Sequence, residues 1–357
     1  MPDLFDALTV KDWELPNRLV MAPLTRNRAD DRGVPGDLAV EYYAQRASAG
    51  LIISEGTQPS AVGQGYLHTP GIHTPDQVAG WRRVADAVHA RGGRIVVQLM
   101  HAGRVAHPDN KHGLESVAPS PIAAPGEMFT ADGMKAHPVP RALEASEITD
   151  VVQEFVHAAR SAVEAGVDGV EVHAANGYLV HQFLAPGSNR RTDEYGGSPA
   201  ARARFAIEVT RAVAEAIGPE RVGIRISPAH NIQGAVEEDP ADVEATYTHL
   251  IEAIAPLGLA YLSVLAEPRA EVVQHLRLAF GGVLVANDGF GEVTTRESAQ
   301  EVLDKDLADA VAVGRLFLAN PDLPARWASG AELNEPDPET FYGGGAEGYT
   351  DYPFLTR

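Results

Sequence analysis

Short apolar runs recur along the chain, and each is followed by a longer stretch whose apolar residues have helical spacing. The stretch after Ser146 is the clearest, because its apolar positions from Ile148 to Val163 recur every three or four residues. Strands are predicted at residues 18–22, 50–56, 94–100, 168–173, 221–227, 259–264, 282–287 and 309–314. Helices are predicted to begin near Asp37, Pro75, Ser146, Pro199, Pro240, Pro268 and Thr294 and after Pro321. This α/β alternation predicts a closed (β/α)8 TIM barrel.

A doubly wound Rossmann-type sheet is the competing α/β architecture. It requires a glycine-rich fingerprint directly after an early strand, whereas Pro23, Leu24, Thr25 and Arg26 follow the first strand here. We therefore predict a single barrel domain over residues 1–357, with residues 101–145 as an insertion after the third strand. A connection of that length is typical of a functional lid.

Composition limits the classes of function. The chain has 49 acidic and 29 basic residues and a formal charge of −20, which disfavours binding to nucleic acid or to an anionic membrane. It has no cysteine, so disulfides, thiolate nucleophiles and cysteine-bound metals are excluded. The acidic N-terminal segment does not fit a signal peptide, and no apolar run approaches the roughly 20 residues that span a bilayer. We expect a cytoplasmic protein without a membrane partner.

Polar residues cluster at the predicted C-terminal ends of the strands, where barrels of this type carry their chemistry. Strand alternation places Gln98 and Met100 on one face, and it places Arg225 opposite its aliphatic neighbours. If the aliphatic side chains face the helices, the polar ones face the mouth of the barrel. An arginine in that position requires an anion or a strong acceptor, because burying it unpaired costs several kcal/mol.

Glycines after the last two strands indicate a phosphate site. Gly289 follows the seventh strand, and Gly314 and Arg315 follow the eighth, which is the usual phosphate position in these barrels. Glycine lets backbone N–H groups approach a phosphate, and arginine can bind it through two donors. The alternative is a turn glycine beside a surface arginine.

His173, Asn176 and Tyr178 lie where the fourth strand meets a helix. The spacing of three puts His173 and Asn176 on one side of a turn, where both can hold one oxygen atom. Tyr178 points elsewhere and suits proton delivery from another side. A lone histidine at a strand end is more often structural, but this one has two functional neighbours.

Six motifs occur along the chain, essentially from end to end. They are "MAPLTR" (21–26), "VQLMHAGR" (97–104), "HAANGYLVHQFLAPGSNRRTDEYGGS" (173–198), "VGIRISP" (222–228), "VGRLFLANPDLP" (313–324) and "TFYGGGAEGYTDYP" (340–353). In order and spacing they resemble the classical branch of the Old Yellow Enzyme family of ene-reductases, and the fourth-strand motif is the most specific of them.

The resemblance implies non-covalent FMN, which takes hydride from NADPH or NADH and delivers it to an activated C=C bond. By this resemblance His173 and Asn176 hold the substrate carbonyl or nitro oxygen, Tyr178 protonates Cα, and Tyr342 lines the substrate pocket. Thr25 lies near flavin O4 and N5 and also borders the substrate. The remaining implied flavin contacts are the flanking Pro23 and Leu24, the pyrimidine-side Gly56 and Gln98, the N1–O2 contact Arg225, and the phosphate-site residues Asn287, Gly289, Gly314 and Arg315.

The chain departs from the family pattern at Met100, where many members have tryptophan. Methionine is flexible, so we expect a roomier substrate pocket. The implied substrates are enones, enals, maleimides and nitroalkenes, and both a monomer and a homodimer stay open.

Two other functions stay open at this point. One is a metal-dependent barrel that uses Glu55, Glu171, His173 and Asp288 as ligands, although Glu171 could instead pair with Arg225. The other is a flavin-binding protein without catalytic activity.

Overall fold

The computed structural model describes residues 2–289, 291 and 293–355. Parallel strands close into an eight-membered barrel, which confirms the predicted fold class, and each barrel strand lies within one residue of its predicted range. The strands are β1 (Leu8–Val10), β2 (Trp13–Leu15), β3 (Leu19–Met21), β4 (Leu51–Ile53), β5 (Ile95–Leu99), β6 (Val117–Ala118), β7 (Glu127–Thr130), β8 (Gly133–Ala136), β9 (Arg141–Ala142), β10 (Gly169–Ala174), β11 (Val222–Ile226), β12 (Tyr261–Leu265), β13 (Val283–Asn287) and β14 (Ala310–Val313). The barrel order is β3, β4, β5 and then β10 to β14.

Helices follow the barrel strands and cover the outside of the barrel. Proline occupies the first turn of several of them, and Thr74 caps α2 through a capping box with Gln77. The helices are α1 (Asp37–Gln45), α2 (Pro75–His89), α3 (Ala145–Glu164), α4 (Leu179–Leu184), α5 (Pro199–Ile217), α6 (Pro240–Ile254), α7 (Glu271–Phe280), α8 (Arg296–Asp304), α9 (Arg315–Ala319) and α10 (Leu323–Ser329). Short 3₁₀ turns lie at Pro108–Lys111, Pro219–Arg221, Ala255–Leu257 and Pro338–Thr340.

Each barrel strand has an apolar outer face and an inner face that changes character along its length. On β5, Ile95, Val97 and Leu99 pack with the helices in the main hydrophobic core. Val96, between them, belongs to a separate apolar cluster inside the barrel, whereas Gln98, one step further along, lines a cavity. The inner face therefore turns from apolar to polar toward the C-terminal end of the strand.

An N-terminal hairpin closes the other end of the barrel. β1 and β2 are antiparallel, with Val10 opposite Trp13, and both residues belong to the inner apolar cluster. The indole of Trp13 lies against Gly169 at the start of β10, where an added Cβ would be 3.1 Å from the ring. The sequence pattern does not predict this hairpin, because strands of three residues are too short to show a period.

The insertion at residues 101–145 forms two small sheets. β6 pairs with β9, and β7 pairs with β8 as an antiparallel hairpin. Met128 on β7 is buried in a cluster with Val105 and Ala124, against which Tyr66 and Tyr178 pack. The insertion thus lies next to the corner that carries the predicted proton donor. Within the described ranges, no helix is long and apolar enough to cross a membrane.

Candidate active site

A cavity of ≈ 370 Å³ lies at the C-terminal ends of the barrel strands. It brings together residues that are far apart in sequence, and every residue predicted for the site lines it. These residues are Pro23, Leu24, Thr25, Gly56, Gln98, Met100, His173, Asn176, Tyr178, Arg225, Asn287, Gly289, Gly314, Arg315 and Tyr342.

The chain turns sharply between β10 and α4, where the three predicted catalytic residues lie. Asn176 and Gly177 both have left-handed backbone conformations, with φ of 59° and 79°. Glycine adopts this region freely and asparagine tolerates it better than most residues. The Asn-Gly sequence therefore allows the turn that directs His173, Asn176 and Tyr178 into one cavity.

His173 is neutral in this environment. It is 3% exposed, and burial, helped by the charges of Arg225 and His181, holds the pKa of His173 well below its usual value. A neutral imidazole donates through one nitrogen and accepts through the other. His173 Nδ1 and Asn176 Oδ1 are buried and have no hydrogen-bond partner among the described residues. Both side chains are therefore available to a ligand.

Arg225 is a buried cation with unused donors. Its Nη2 donates to Asn287 Oδ1 at 3.0 Å, while Nε and Nη1 have no partner in the described part of the chain. Burial lowers the pKa of Arg225, and the charge of Glu171 opposes that shift, but a guanidinium stays charged in proteins. An unpaired buried charge is costly, so this arrangement fits a ligand with acceptor atoms.

Gln98 is oriented by a second buried group. Its Nε2 donates to Glu171 Oε1 at 2.7 Å, and burial raises the pKa of Glu171 while Arg225 and Gln98 lower it. Because the N–H₂ group of Gln98 donates to Glu171, the carboxamide oxygen of Gln98 is left to accept a hydrogen bond from a ligand. The suggested pairing of Glu171 with Arg225 exists as an interaction between their charges, since each shifts the pKa of the other, but the two described side chains are not hydrogen-bonded to each other.

The residues predicted for a phosphate lie together at the ends of β13 and β14. Gly289 has φ of 105°, a conformation open to glycine alone among common residues. Arg315 begins α9 directly after Gly314. Asn287 has a different contact pattern, because its Nδ2 donates to the Ala312 carbonyl at 2.9 Å while its Oδ1 accepts from Arg225. Its carboxamide is thus occupied in holding Arg225.

Tyr342 lies at the mouth of the cavity and is 70% exposed. Arg26 fixes the backbone beside it by donating through Nε to the Phe341 carbonyl at 3.0 Å and through Nη2 to the Gly348 carbonyl at 2.7 Å. The Arg26 guanidinium also lies over the ring of Tyr349. This role of Arg26 could not be predicted from the sequence, because its partners are backbone carbonyls more than 300 positions away.

Several other lining residues were not predicted. Most are apolar, and only their position next to a predicted residue could have indicated them. They are Ala22, Val293, Thr294, Val313, Leu316, Leu318 and Phe341. Tyr66, which contacts Tyr178, was also missed, since a single aromatic residue in a loop gives no functional signal.

The proposed metal ligands are dispersed. The carboxylate of Glu55 accepts from the backbone N–H of Arg26 and lies 3.3 Å from the hydroxyl of Tyr43, and Glu171 is bound to Gln98. Within the described residues, no three His, Asp or Glu side chains are grouped so that they could hold a metal ion.

The cavity has the features that a flavin requires. Apolar Leu24 and Met100 offer surface to a ring system, the unpaired guanidinium donors of Arg225 and the oriented Gln98 carboxamide suit its polar edge, and the glycines suit a phosphate. The fold and the site together define a flavin-dependent oxidoreductase built on a TIM barrel.

Comparison with known proteins agrees. A sequence profile of the NADH:flavin oxidoreductase / NADH oxidase family matches residues 3–334. The chain is 45% identical to a probable flavin mononucleotide-dependent alkene reductase of Leishmania infantum, over 98% of this chain and 96% of the relative. It is 42% identical to 12-oxophytodienoate reductase 7 of Oryza sativa subsp. japonica, over 99% of this chain and 94% of the relative.

Solved structures give the same result. Morphinone reductase in complex with tetrahydroNAD superposes with a TM-score of 0.93 at 49% identity, covering 100% of this chain and 98% of that one. An Old Yellow Enzyme homologue from Zymomonas mobilis superposes with a TM-score of 0.94 at 41% identity, covering 99% of this chain and 100% of that one. The chain belongs to the NADH:flavin oxidoreductase / NADH oxidase family, the Old Yellow Enzyme family. It is an FMN-dependent NAD(P)H oxidoreductase of the ene-reductase type.

Proposed function

We propose that this enzyme reduces the C=C bond of α,β-unsaturated carbonyl and nitro compounds, with His173 and Asn176 holding the substrate oxygen and Tyr178 supplying the proton. The observation that carries this proposal is the convergence of these three side chains, from one turn, on the cavity that also holds Arg225. Bound FMN supplies the redox chemistry, because it accepts hydride from NADPH or NADH and passes it to the activated alkene.

The neutral state of His173 suits an oxygen-holding role. A neutral imidazole donates one N–H group, and the Asn176 carboxamide supplies a second donor. Two donors that converge on a carbonyl or nitro oxygen draw electron density from the C=C bond and stabilise the charge that develops on that oxygen. Enals and maleimides present the same oxygen acceptor, so we include them among the substrates.

Tyr178 suits the role of general acid. Burial raises the pKa of Tyr178 above its ordinary value of about 10, with smaller opposing contributions from Tyr66 and Gln233. The phenol is therefore protonated at neutral pH, and it can release its proton to Cα only as negative charge accumulates there.

Met100 shapes the substrate pocket together with Gly56. An added Cβ on Gly56 would be 2.5 Å from Met100 Sδ, so the thioether occupies the space next to a residue without a side chain. A flexible thioether can adjust to different substrates. Because a thioether is smaller than an indole ring, we expect this pocket to be roomier than one closed by tryptophan.

Further proposals concern the surroundings of the site. Gly289, Gly314 and Arg315 bind the FMN phosphate, and Pro23, Leu24 and Thr25 lie along its ring system. Residues 101–145 act as the cover of a single domain spanning 1–357. The acidic, cysteine-free composition predicts a cytoplasmic protein, and both a monomer and a homodimer remain compatible with it.

The visible spectrum of the purified protein tests the function. A yellow protein that bleaches when NADPH is added without oxygen, and regains its colour with 2-cyclohexenone, supports the proposal. A protein that bleaches with NADPH but does not respond to enones or nitroalkenes overturns the substrate assignment.

A further inference from the structure

Tyr178 has a tyrosine partner outside the predicted catalytic set. The hydroxyl oxygens of Tyr66 and Tyr178 are 2.9 Å apart, and the rings meet edge to face with centroids 6.4 Å apart and an interplanar angle of 83°. The distance is that of a normal hydrogen bond between hydroxyl groups. The acid proposed above is therefore hydrogen-bonded to a second phenol.

The backbone around Tyr66 is held on both sides. Its own carbonyl accepts from Gln64 Nε2 and from Thr69 Oγ1, both at 3.0 Å. The preceding carbonyl, of Gly65, accepts from Asn110 Nδ2 at 3.1 Å, and the same amide donates to the Phe129 carbonyl in the β7–β8 hairpin at 2.9 Å. The position of the Tyr66 hydroxyl is thus tied to the insertion.

Gln233 joins the two phenols to the catalytic turn. Its Nε2 donates to the Asn176 carbonyl at 2.8 Å, and its side chain lies close enough to Tyr66 and Tyr178 to lower the pKa of both phenols. An added Cβ on Gly177 would be 2.8 Å from the Cβ of Gln233, so the glutamine packs closely on the turn. Gln233 and Tyr66 therefore both lie next to the acid.

The Tyr66–Tyr178 pair borders a second cavity, of ≈ 610 Å³, on the outer side of the site. Polar Asn27, His68 and Glu127 also line this cavity. Most of the lining is apolar, but these polar groups give water hydrogen-bonding partners in a space large enough to admit it. Protons from solvent can thus reach the Tyr66 hydroxyl through this cavity, which adjoins the active-site cavity at Thr25, Tyr178 and Tyr342.

We propose that Tyr66 positions the Tyr178 hydroxyl and returns a proton to it in each turnover, so that Tyr66 and Tyr178 form a relay from the outer cavity to the substrate. This proposal rests on the proposed role of Tyr178 as the acid. The Tyr178 O–H bond breaks as a C–H bond forms at Cα, the Tyr66 proton moves to the Tyr178 oxygen, and water in the outer cavity reprotonates Tyr66. No electrons are exchanged in these proton transfers.

Either hydroxyl can donate at this distance, and the pKa shifts of the two phenols favour donation from Tyr66 to Tyr178. Donation by Tyr66 lowers the pKa of Tyr178, while burial and the neighbouring Tyr178 raise the pKa of Tyr66 well above 10. Tyr178 is thus the phenol that ionises more readily, and Tyr66 is the donor that stabilises its anion. With its oxygen accepting from Tyr66, Tyr178 keeps its own proton for the substrate.

The test combines Tyr66→Phe with Tyr178→Phe in the FMN-loaded enzyme. Rapid kinetics should show flavin reduction by NADPH unchanged within about twofold in Tyr66→Phe, and reoxidation by 2-cyclohexenone slowed about 10-fold, as expected for loss of one hydrogen bond to a developing anion. The alkaline limit of the reoxidation rate should move to higher pH, because Tyr178 loses a donor that lowers its pKa. Tyr195→Phe, which removes a phenol bonded to Glu208, is the control and should leave both rates unchanged.

The double variant separates a relay from an effect on pocket shape. Tyr66→Phe should not slow reoxidation further when Tyr178 is already phenylalanine, because residues that act through one another are not additive. Equal slowing in both backgrounds overturns the relay. If Tyr66→Phe fails to retain flavin, Gln233→Met should give the same pattern with about threefold slowing. If Tyr178→Phe alone leaves reoxidation unchanged, the proposed acid is wrong and the failure is not that of the relay.

Discussion

The two ends of the barrel differ in how their polar groups are satisfied. At the N-terminal end, Val10 and Trp13 of the hairpin pack with an apolar inner cluster. At the C-terminal end, the inward residues are polar, and Arg225, His173 and Asn176 have buried atoms without a hydrogen-bond partner in the described part of the structure. One strand, β5, passes from Val96 in the first environment to Gln98 in the second.

Because of this difference, the apolar end of the barrel contributes mainly to stability and the polar end mainly to function. A packed apolar cluster stabilises the fold, whereas buried polar groups without partners destabilise it until a ligand binds. We therefore expect substitutions at the two ends to have opposite signatures, with stability affected at one end and flavin binding or turnover at the other.

The largest effect is expected for Tyr178→Phe at the C-terminal end. Loss of a general acid typically slows the chemical step by about 10²- to 10⁴-fold. Reoxidation of the reduced enzyme by 2-cyclohexenone should fall by that factor, while reduction by NADPH and thermal stability stay unchanged. Stopped-flow absorbance of the flavin measures both half-reactions, and equal reoxidation rates in variant and parent would remove Tyr178 from the mechanism.

Trp13→Ala should show the opposite signature. Removing a buried tryptophan costs about 3–5 kcal/mol in the free energy of unfolding, while the flavin site at the other end keeps its geometry. Chemical denaturation measures the loss, and turnover per bound flavin should not change. Trp13→Phe is the matched control with a smaller loss. A fall in turnover per flavin would show that the two ends are coupled.

Arg225→Met tests whether the buried polar groups at the C-terminal end of the barrel destabilise the flavin-free protein. Replacing this buried cation, whose Nε and Nη1 have no partner in the described part of the chain, should stabilise the flavin-free protein, because its charge no longer has to be buried. It should weaken FMN binding by about 10- to 100-fold, because charge-assisted hydrogen bonds are lost. Denaturation of the flavin-free protein and flavin titration measure the two effects.

Arg202 provides the contrast for that experiment. It is also buried, but its guanidinium donates to the carbonyls of Leu184 and Gly197 and to Asp242 and Thr246. Arg202→Met should therefore destabilise the flavin-free protein. If Arg225→Met and Arg202→Met change the stability of the flavin-free protein in the same direction, the distinction between the two arginines is wrong.

The smallest effect concerns pH and Glu55, which lies next to the site but outside the cavity. Burial raises the pKa of Glu55 from 4.5 to about 7. Because the folded-state pKa lies above the unfolded one, the stability that Glu55 contributes is fully present below about pH 4.5 and is lost as pH rises through 7. Unfolding midpoints measured from pH 5 to 8 should fall less steeply in Glu55→Gln than in the parent, and identical slopes would exclude this titration.

Much of the fold and the site could be predicted because each strand carries its own signal. The β-branched runs predicted the position of every barrel strand, and the C-terminal ends of these runs predicted a set of residues that share one cavity. The hairpin at Trp13 escaped prediction because it is too short to be periodic. The role of Arg26 escaped because its partners are backbone carbonyls of the distant segment at residues 341–348.

The sequence by itself determined the eight strand–helix units, the absence of cysteine chemistry and the polar character of the barrel mouth, since these depend on residue type and local spacing. The tertiary structure alone decided which polar atoms stay unpaired, that Gln98 rather than Arg225 binds Glu171, and that Tyr66 reaches Tyr178. These relations depend on distances between side chains that are far apart in the chain, and those distances are set only when the barrel closes and the core packs.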